Sequence, residues 1–505
     1  MTMTKYFDQV VPMADMPVSI LTAALVGCGG VLFLVLRKYK RVEQDPMMAP
    51  SADMGTLPYL KNLLSTRGPQ FLLDVARDVG YVSRAPGLNK PNWFLVGDPK
   101  VARKILENPN HPKPLRAYEV FNSVATGESF FATSGHRANH VRKSTSAAFS
   151  PQNVQRMGTI VENVLEEWIE KRLEPIFVQQ NKSFDMDDEM IVLTSDVIAR
   201  AAFDYIMSDE ERWHIAMLLR RTMTAYFSQG LNPFKRFLPF MFAELRVAKR
   251  EAKELHQFAL RLIRSCRDKG DAANKNTVVY MMINDDQYVD DNQRGRDIML
   301  YFFGGFETTA HSIAWTMLEL GRHPKEQEWL RLALQEFEVA NKNENLIHCP
   351  TLKHVTREIL RLHTPASLGS VRLLDEEIVV KTSQNSHNSS LPKMLEQTIR
   401  LPKGSFASMP FYIILRNHYV FGDDADLFVP RRWENPTKEM QEAYMPFAVG
   451  RRNCQGQALA NLELLTVVAK LAKLYHVEVE EEGEPHYMVA LRPKGAKLVF
   501  TRVES

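Results

Sequence analysis

Phe447, Ala448, Val449, Gly450, Arg451, Arg452, Asn453, Cys454, Gln455 and Gly456 form the stretch on which the reading of this chain turns. Its spacing suits a cysteine thiolate offered to a metal held in a flat macrocycle. Gly450 and Gly456 let the backbone turn tightly and pass close to a planar group, where a side chain would collide. Arg452 is near enough to reach a carboxylate at the rim of such a group, and Phe447 can cover the sulfur and keep water away. Cys454 opens the apolar stretch Ala458, Leu459, Ala460, Leu462, Leu464, Leu465, Val467 and Val468, which reads as a helix. Its first amides and its dipole favour an anionic sulfur, so the thiol is expected to be deprotonated. The plainer alternative is a buried thiol at a helix start, the usual fate of a lone cysteine.

The pattern resembles the haem loop FxxGxRxCxG of the haem-thiolate monooxygenases, the cytochrome P-450 superfamily. All five fixed positions match. The resemblance implies haem b, with Cys454 as the axial thiolate on its iron, and that ligand favours cleavage of a bound O–O bond. It also implies a fold that is mainly α with small peripheral β-sheets.

Three further signatures stand in the family's order. Gly304, Gly305, Phe306, Glu307, Thr308 and Thr309 lie in the apolar stretch 297–320. Two glycines inside a helix cost about 1 kcal/mol each relative to alanine, so something must approach that backbone. Thr308, four residues after Gly304, shares its helix face, and its hydroxyl can bond back to the Gly304 carbonyl and open a groove. In the family this groove receives O2, and the resemblance gives Glu307 and Thr308 the proton delivery, Glu307 drawing on solvent. Glu358, Ile359, Leu360 and Arg361 are followed by Phe428, Val429, Pro430, Arg431, Arg432 and Trp433. Alone, the Glu/Arg pair reads as a surface ion pair; with the rest it resembles the family's buried cluster, here Glu358, Arg361 and Arg432, which fixes the segment carrying the cysteine loop. The family more often has glutamate where this chain has Arg431. A softer match runs from Gly135 to Arg142, where Ala138 replaces the usual tryptophan and Arg142 is kept. Arg372 stands where another arginine commonly binds a haem propionate, so Arg142, Arg372 and Arg452 are the expected propionate ligands.

At the amino terminus, Val18 to Leu36 is an uncharged run of 19 residues followed by Arg37, Lys38, Lys40 and Arg41. That is close to the roughly 20 residues a spanning helix needs, and the basic cluster places the remainder of the chain in the cytosol. A cleaved signal peptide is disfavoured, because the basic cluster lies on the wrong side of the apolar run. The expected organisation is an anchor at 1–41, a Pro-containing linker at 42–53 and a haem-thiolate catalytic domain at 54–505. The expected location is a single-pass membrane protein, of the endoplasmic reticulum by resemblance, with its catalytic domain facing the cytosol and a lipid bilayer as partner.

Helical patterning covers 154–176, 187–206, 236–268 and 324–340, and strand-like runs cover 92–96, 377–380 and 497–502. The segment 381–400 reads as a polar surface loop. A net charge of +3 gives no field for nucleic acid. Four cysteines, at 28, 266, 349 and 454, are too scattered for a disulfide framework. No flavin or nicotinamide fingerprint is found, so electrons must come from a separate protein; the resemblance implies an NADPH-cytochrome P-450 reductase, with cytochrome b5 as an optional second donor. Phe121, Phe130, Phe131, Phe302, Phe303, Phe306 and Leu368 suggest an apolar cavity for a small organic substrate beside O2. Two rivals remain open: an isomerase or dehydratase of the same fold that needs no external electrons, and a membrane haem sensor or carrier.

Overall fold

A 32-residue helix, Asp291–Arg322, runs through the middle of the computed structural model, which describes residues 47–89, 92–341, 344–385 and 394–503. Asp290 caps it by accepting the Gln293 amide at 2.8 Å, and it stops just before Pro324, whose ring cannot continue it. From Phe306 to Leu320 nearly every residue is buried, including Trp315 and Thr316. A helix buried on every side belongs at the centre of a domain, and this one has Met186–Phe203 along one flank. A Cβ at Gly305 would lie 2.5 Å from the Ile198 side chain of that neighbour, so the second glycine of the pair serves close helix packing.

Outer helices bury one stripe each. Ala243–Asp268 buries Leu245, Ala252, Leu255, Phe258, Leu262 and Ile263 and leaves its charged face to water. Gln457–Leu474, which begins just after Cys454, packs on Pro151–Trp168 and on the central helix. The sheets are small: Val82–Asn89, Asn92–Val96, Phe406–Met409 and Ser370–Leu373 make a four-stranded sheet, and Phe184–Asp185, Lys497–Arg502 and Tyr475–Glu481 a three-stranded one. The architecture is mainly helical with small sheets, and Ala49–Ser505 forms one compact unit.

Several boundaries differ from the sequence reading. The loop expected at 381–400 is largely a hairpin, in which Ile378–Asn385 pairs antiparallel with Met394–Leu401 from Ile378↔Leu401 to Asn385↔Met394. At its base Ile378, Val380, Ile399 and Leu401 are buried, but the polar sequence beyond them concealed the rest of the two strands. The helix expected over 154–176 is α-helical only for Pro151–Trp168 and then widens into π-type turns over Ile169–Val178, which accommodate Pro175 and its missing amide. The stretch from Arg236 is broken at Pro239, with a short helix Pro233–Phe237 before the long one. The apolar run Val18–Leu36 lies outside the described residues. Among the described residues no helix is long and apolar enough to cross a membrane.

Candidate active site

The cysteine loop is shaped by its own backbone. The Cys454 amide donates to the Phe447 carbonyl at 2.8 Å and the Asn453 amide to the Gly450 carbonyl at 3.1 Å, closing a tight loop ahead of the helix. Gly450 has a φ of +77°, and a Cβ there would meet the Leu106 carbonyl at 2.5 Å, so both conformation and space demand glycine. Gly456 is different: the nearest atom to a Cβ would be 4.0 Å away on Phe149, and nothing in the protein itself forbids a side chain. Phe447 is half-buried against the core. Cys454 is accessible to solvent although many protein atoms lie around its sulfur. Burial pushes that thiol up from its ordinary value; the Gly456 amide and Arg142 oppose this without overcoming it. The helix start thus does not by itself lower the thiol, in contrast to the expectation.

Arg142, Arg372 and Arg452 converge on one region, and a fourth cation joins them. Lys113 is pulled well below its usual value by burial and by Arg452, Arg372 and Arg142. Its ammonium donates to the Phe131 carbonyl at 3.0 Å and sits 3.8 Å from the Phe131 ring centre. Arg452 donates to the carbonyls of Thr133 at 2.8 Å, Phe130 at 3.2 Å and Phe131 at 3.3 Å, and burial with Arg142 and Arg372 draws it down to about 10. Arg142 spans from the helix His136–Ser144 to the Asn453 carbonyl at 2.9 Å. Arg372 is 1% exposed, and among the described residues its Nη1 bonds only the Val371 carbonyl at 3.0 Å and its Nη2 has no partner. None of the four forms an ion pair with a carboxylate among the described residues. Such a cradle is built for an anion. Lys113 was missed in the sequence because it stands alone between Pro112 and Pro114 in a turn-like stretch with no motif around it.

Gln455, next to the cysteine, was also missed. Its side chain accepts from Tyr301 Oη at 3.0 Å and donates to the Arg142 carbonyl at 3.0 Å, tying the cysteine loop to the central helix.

Glu358, Arg361 and Arg432 form a closed network. Glu358 Oε1 accepts from Arg361 Nη2 at 2.8 Å, Arg432 Nε at 2.9 Å and the Val429 amide at 2.9 Å; Oε2 accepts from Arg361 Nε and Trp433 Nε1, both at 2.9 Å. Burial pushes this carboxyl up, but the two arginines and the Val429 amide together hold it below its ordinary value. Arg361 also binds the carbonyls of Leu415, Ala425 and Leu427. Arg431, the position that departs from the family pattern, is outside the network and reaches Glu326 at 3.5 Å.

On the central helix the glycines part company. Gly304 faces open space, in contrast to the packed Gly305. The Thr308 hydroxyl lies 3.4 Å from the Gly304 carbonyl, a long bond, and Ser312 and Thr316 repeat the back-bonding one and two turns on, at 2.9 Å and 2.7 Å. Glu307 is not on that stripe. It is only 5% exposed, so it does not reach bulk solvent as expected, and its nearest charged partner is His311 at 3.7 Å.

The aromatic residues also divide. Phe302 and Phe306 are fully buried in the core and Phe130 stacks on Tyr301 at 4.8 Å. Phe121, Phe131 and Phe303 are half-buried, with Phe121 against Phe131 at 4.6 Å and against Phe303 at 6.1 Å. Leu368 is likewise half-buried.

Among the described residues, an exposed cysteine on a glycine-shaped loop, a cluster of cations and a helix glycine facing open space beside a hydroxyl lie in one compact unit. The chain belongs to the cytochrome P450 family, whose model matches residues 56–500. It is 24% identical over 392 residues to a cytokinin hydroxylase of Arabidopsis thaliana, covering 73% of this chain and 71% of that protein. Cytochrome P450 4F6 of Rattus norvegicus is 24% identical over 485 residues, 90% of this chain and 86% of the relative. Cytochrome P450 monooxygenase claW of Ampulloclitocybe clavipes is 33% identical over 226 residues, 40% of each chain. The protein is accordingly a haem-dependent monooxygenase, with O2, an organic substrate and a redox partner implied by the family.

Proposed function

We propose that the protein inserts one atom of O2 into a C–H bond of a small, largely apolar organic metabolite, with electrons from a separate NADPH-cytochrome P-450 reductase and cytochrome b5 as an optional second donor. The observation that supports this most is the set of four cations, Lys113 and its three arginine neighbours, that have no carboxylate partner among the described residues, in the same unit as an accessible cysteine and a helix glycine facing open space. The residues present fit haem b. Two propionates would neutralise much of the charge on Lys113, Arg142, Arg372 and Arg452 and give the orphaned Arg372 Nη2 an acceptor. Cys454 offers the sulfur, and the uncrowded Gly456 leaves the backbone bare for a planar ring.

When bound, haem supplies the iron at which O2 is reduced. The chain's own residues supply binding, orientation and protons. Phe121, Phe131, Phe303 and Leu368 hold the apolar part of the substrate and exclude water. Gly304 leaves room beside the helix, and Thr308 Oγ1, only weakly engaged with the Gly304 carbonyl, is free to turn and donate a proton into that space. Glu307 is the carboxylate that replenishes it. Glu358, Arg361 and Arg432 keep the segment before the cysteine loop fixed.

The anchor at 1–41, the linker from 42 and the catalytic domain belong to the same reading, with the domain on the cytosolic face of the endoplasmic reticulum and taking in the linker's last residues, since Ala49 and Ala52 are buried in the compact unit. The exposed aromatic rings of Phe234, Phe237 and Phe240 support attachment to a lipid surface, since soluble proteins seldom leave three such rings together in water. Incubation of the full chain with haem, reductase, NADPH, 18O2 and a metabolite panel is expected to yield a product heavier by one labelled oxygen, only with reductase present. Turnover without reductase would favour an electron-free rearrangement instead.

A further inference from the structure

Cys454 stands between two residues that are both tied to Arg142. The Arg142 guanidinium donates to the Asn453 carbonyl at 2.9 Å and to the Asn453 side-chain oxygen at 3.3 Å, while the Arg142 carbonyl accepts from the Gln455 amide group at 3.0 Å. That carbonyl lies in the last turn of His136–Ser144, where helical partners run out, so Gln455 satisfies an otherwise orphaned acceptor. Gln455 Nε2 also donates to Thr145 Oγ1 at 3.1 Å, Thr145 Oγ1 lies 2.7 Å from Tyr301 Oη, and Tyr301 Oη donates to Gln455 Oε1 at 3.0 Å.

These three groups close a ring. Their protons can be placed so that each donates once and accepts once around it: Gln455 to Thr145, Thr145 to Tyr301, Tyr301 back to Gln455. The Thr145 hydroxyl shares its proton with the Val141 carbonyl, 2.7 Å away. Bonds aligned head to tail polarise one another, which makes the ring stiffer than the same bonds taken singly. It needs a side chain that donates twice and accepts once, as the Gln455 amide does.

The corners are fixed. Thr145 is fully buried, and Tyr301 stacks on Phe130 at 4.8 Å and lies nearly parallel to Phe149 at 6.1 Å, so its hydroxyl is aimed. Burial pushes that hydroxyl above its ordinary value, and it stays a donor. Tyr301 belongs to the central helix, seven residues before Thr308 and so within about 20° of the same stripe. The ring therefore ties the cysteine loop to the helix face that carries Thr308. Gln455 also begins the peptide unit whose amide, that of Gly456, bonds the Cys454 sulfur and favours its charged form. A Cβ on Gly456 would meet nothing nearer than Phe149 at 4.0 Å, so packing does not hold that residue in place.

We propose that Gln455 is a positioning residue for the sulfur ligand: its ring with Thr145 and Tyr301 holds the 455–456 peptide so that the Gly456 amide stays on the Cys454 sulfur, and this sets how strongly the sulfur donates to the iron. The inference rests on the haem-thiolate reading. A hydrogen bond to the sulfur draws off part of its charge; without it the sulfur donates more, the oxidised metal is favoured and the reduction potential falls.

The reduction potential of the haem-loaded full chain, followed by spectroelectrochemical titration, tests this. Gln455→Leu is expected to lower the ferrous-to-ferric ratio at a given potential about tenfold, the scale of one hydrogen bond to a charged group, or about 59 mV for a one-electron couple. Tyr301→Phe keeps the stacking and is expected to shift the potential the same way by less. The double variant should fall no further than Gln455→Leu, because both act through one ring. Fully additive shifts, or unmoved potentials in folded variants that keep the reduced CO band, overturn the proposal; a loss of thermal stability alone marks the ring as merely structural and overturns it too. Should Gln455→Leu fail to fold, Tyr301→Phe decides. A wild type without the CO band near about 450 nm refutes the haem-thiolate reading instead.

Discussion

Around Glu358 every charge meets an answering group inside the protein, whereas around Lys113 four cations gather and no carboxylate among the described residues joins them. Both regions are arginine-rich and at least half-buried, yet they mean opposite things. Five donors converge on the Glu358 carboxylate, and its arginine partners spend their remaining hydrogens on backbone carbonyls and, from Arg432, on the Asp424 carboxylate. Nothing is left over for a ligand, so the cluster is structural. The cradle has a lysine pulled well below its usual value, an arginine drawn down to about 10 and an orphaned guanidinium nitrogen. Each of those is corrected by an added anion. A satisfied ionic network holds a fold together; an unsatisfied one of a single sign marks where something binds.

Cutting each network in turn sharpens the distinction. Glu358→Ala strands Arg361 in the interior and leaves Arg432 with Asp424 alone, and breaking a buried pair from one side costs about 3–5 kcal/mol. The variant is expected to be recovered poorly or to unfold far below the wild type in thermal denaturation, with and without haem. A smaller and opposite effect is expected in the cradle. Lys113→Met removes one of four mutually repelling cations and keeps the stem that packs on Phe131. The haem-free protein should unfold at the same temperature or slightly higher, while haem titration shows weaker binding. Equal loss of stability in both variants would erase the contrast.

These two networks also show what a sequence can and cannot disclose. Glu358, Arg361 and Arg432 were legible because the chain places them at motif spacing, and each finds its partners through segments the same motifs fix. The helix Pro324–Ala340 was legible to the residue, with proline at its start and apolar periodicity within. Lys113 was not: a lone lysine between two prolines acquires its meaning only from arginines at 142, 372 and 452 that the fold brings near. Of the 378–401 hairpin only the start was legible, as the strand-like run 377–380, because the residues after it are polar. Gln455 fills the unspecified position between Cys454 and Gly456, so the motif passed over it, and its partners Thr145 and Tyr301 come from two other segments. Gly304 and Gly305 looked equivalent in sequence, and only packing separates the one that opens a groove from the one that admits Ile198.

The central claim is that the Cys454 sulfur binds haem iron while the cation cradle holds the rest of the ring. Its most direct test is the reduced CO difference spectrum of the haem-loaded chain beside Cys454→Ser, with circular dichroism to show that both are folded. A band near about 450 nm in the wild type that is abolished in the folded serine variant is the predicted result. A folded wild type that lacks this band, or a serine variant that keeps it, would contradict the claim.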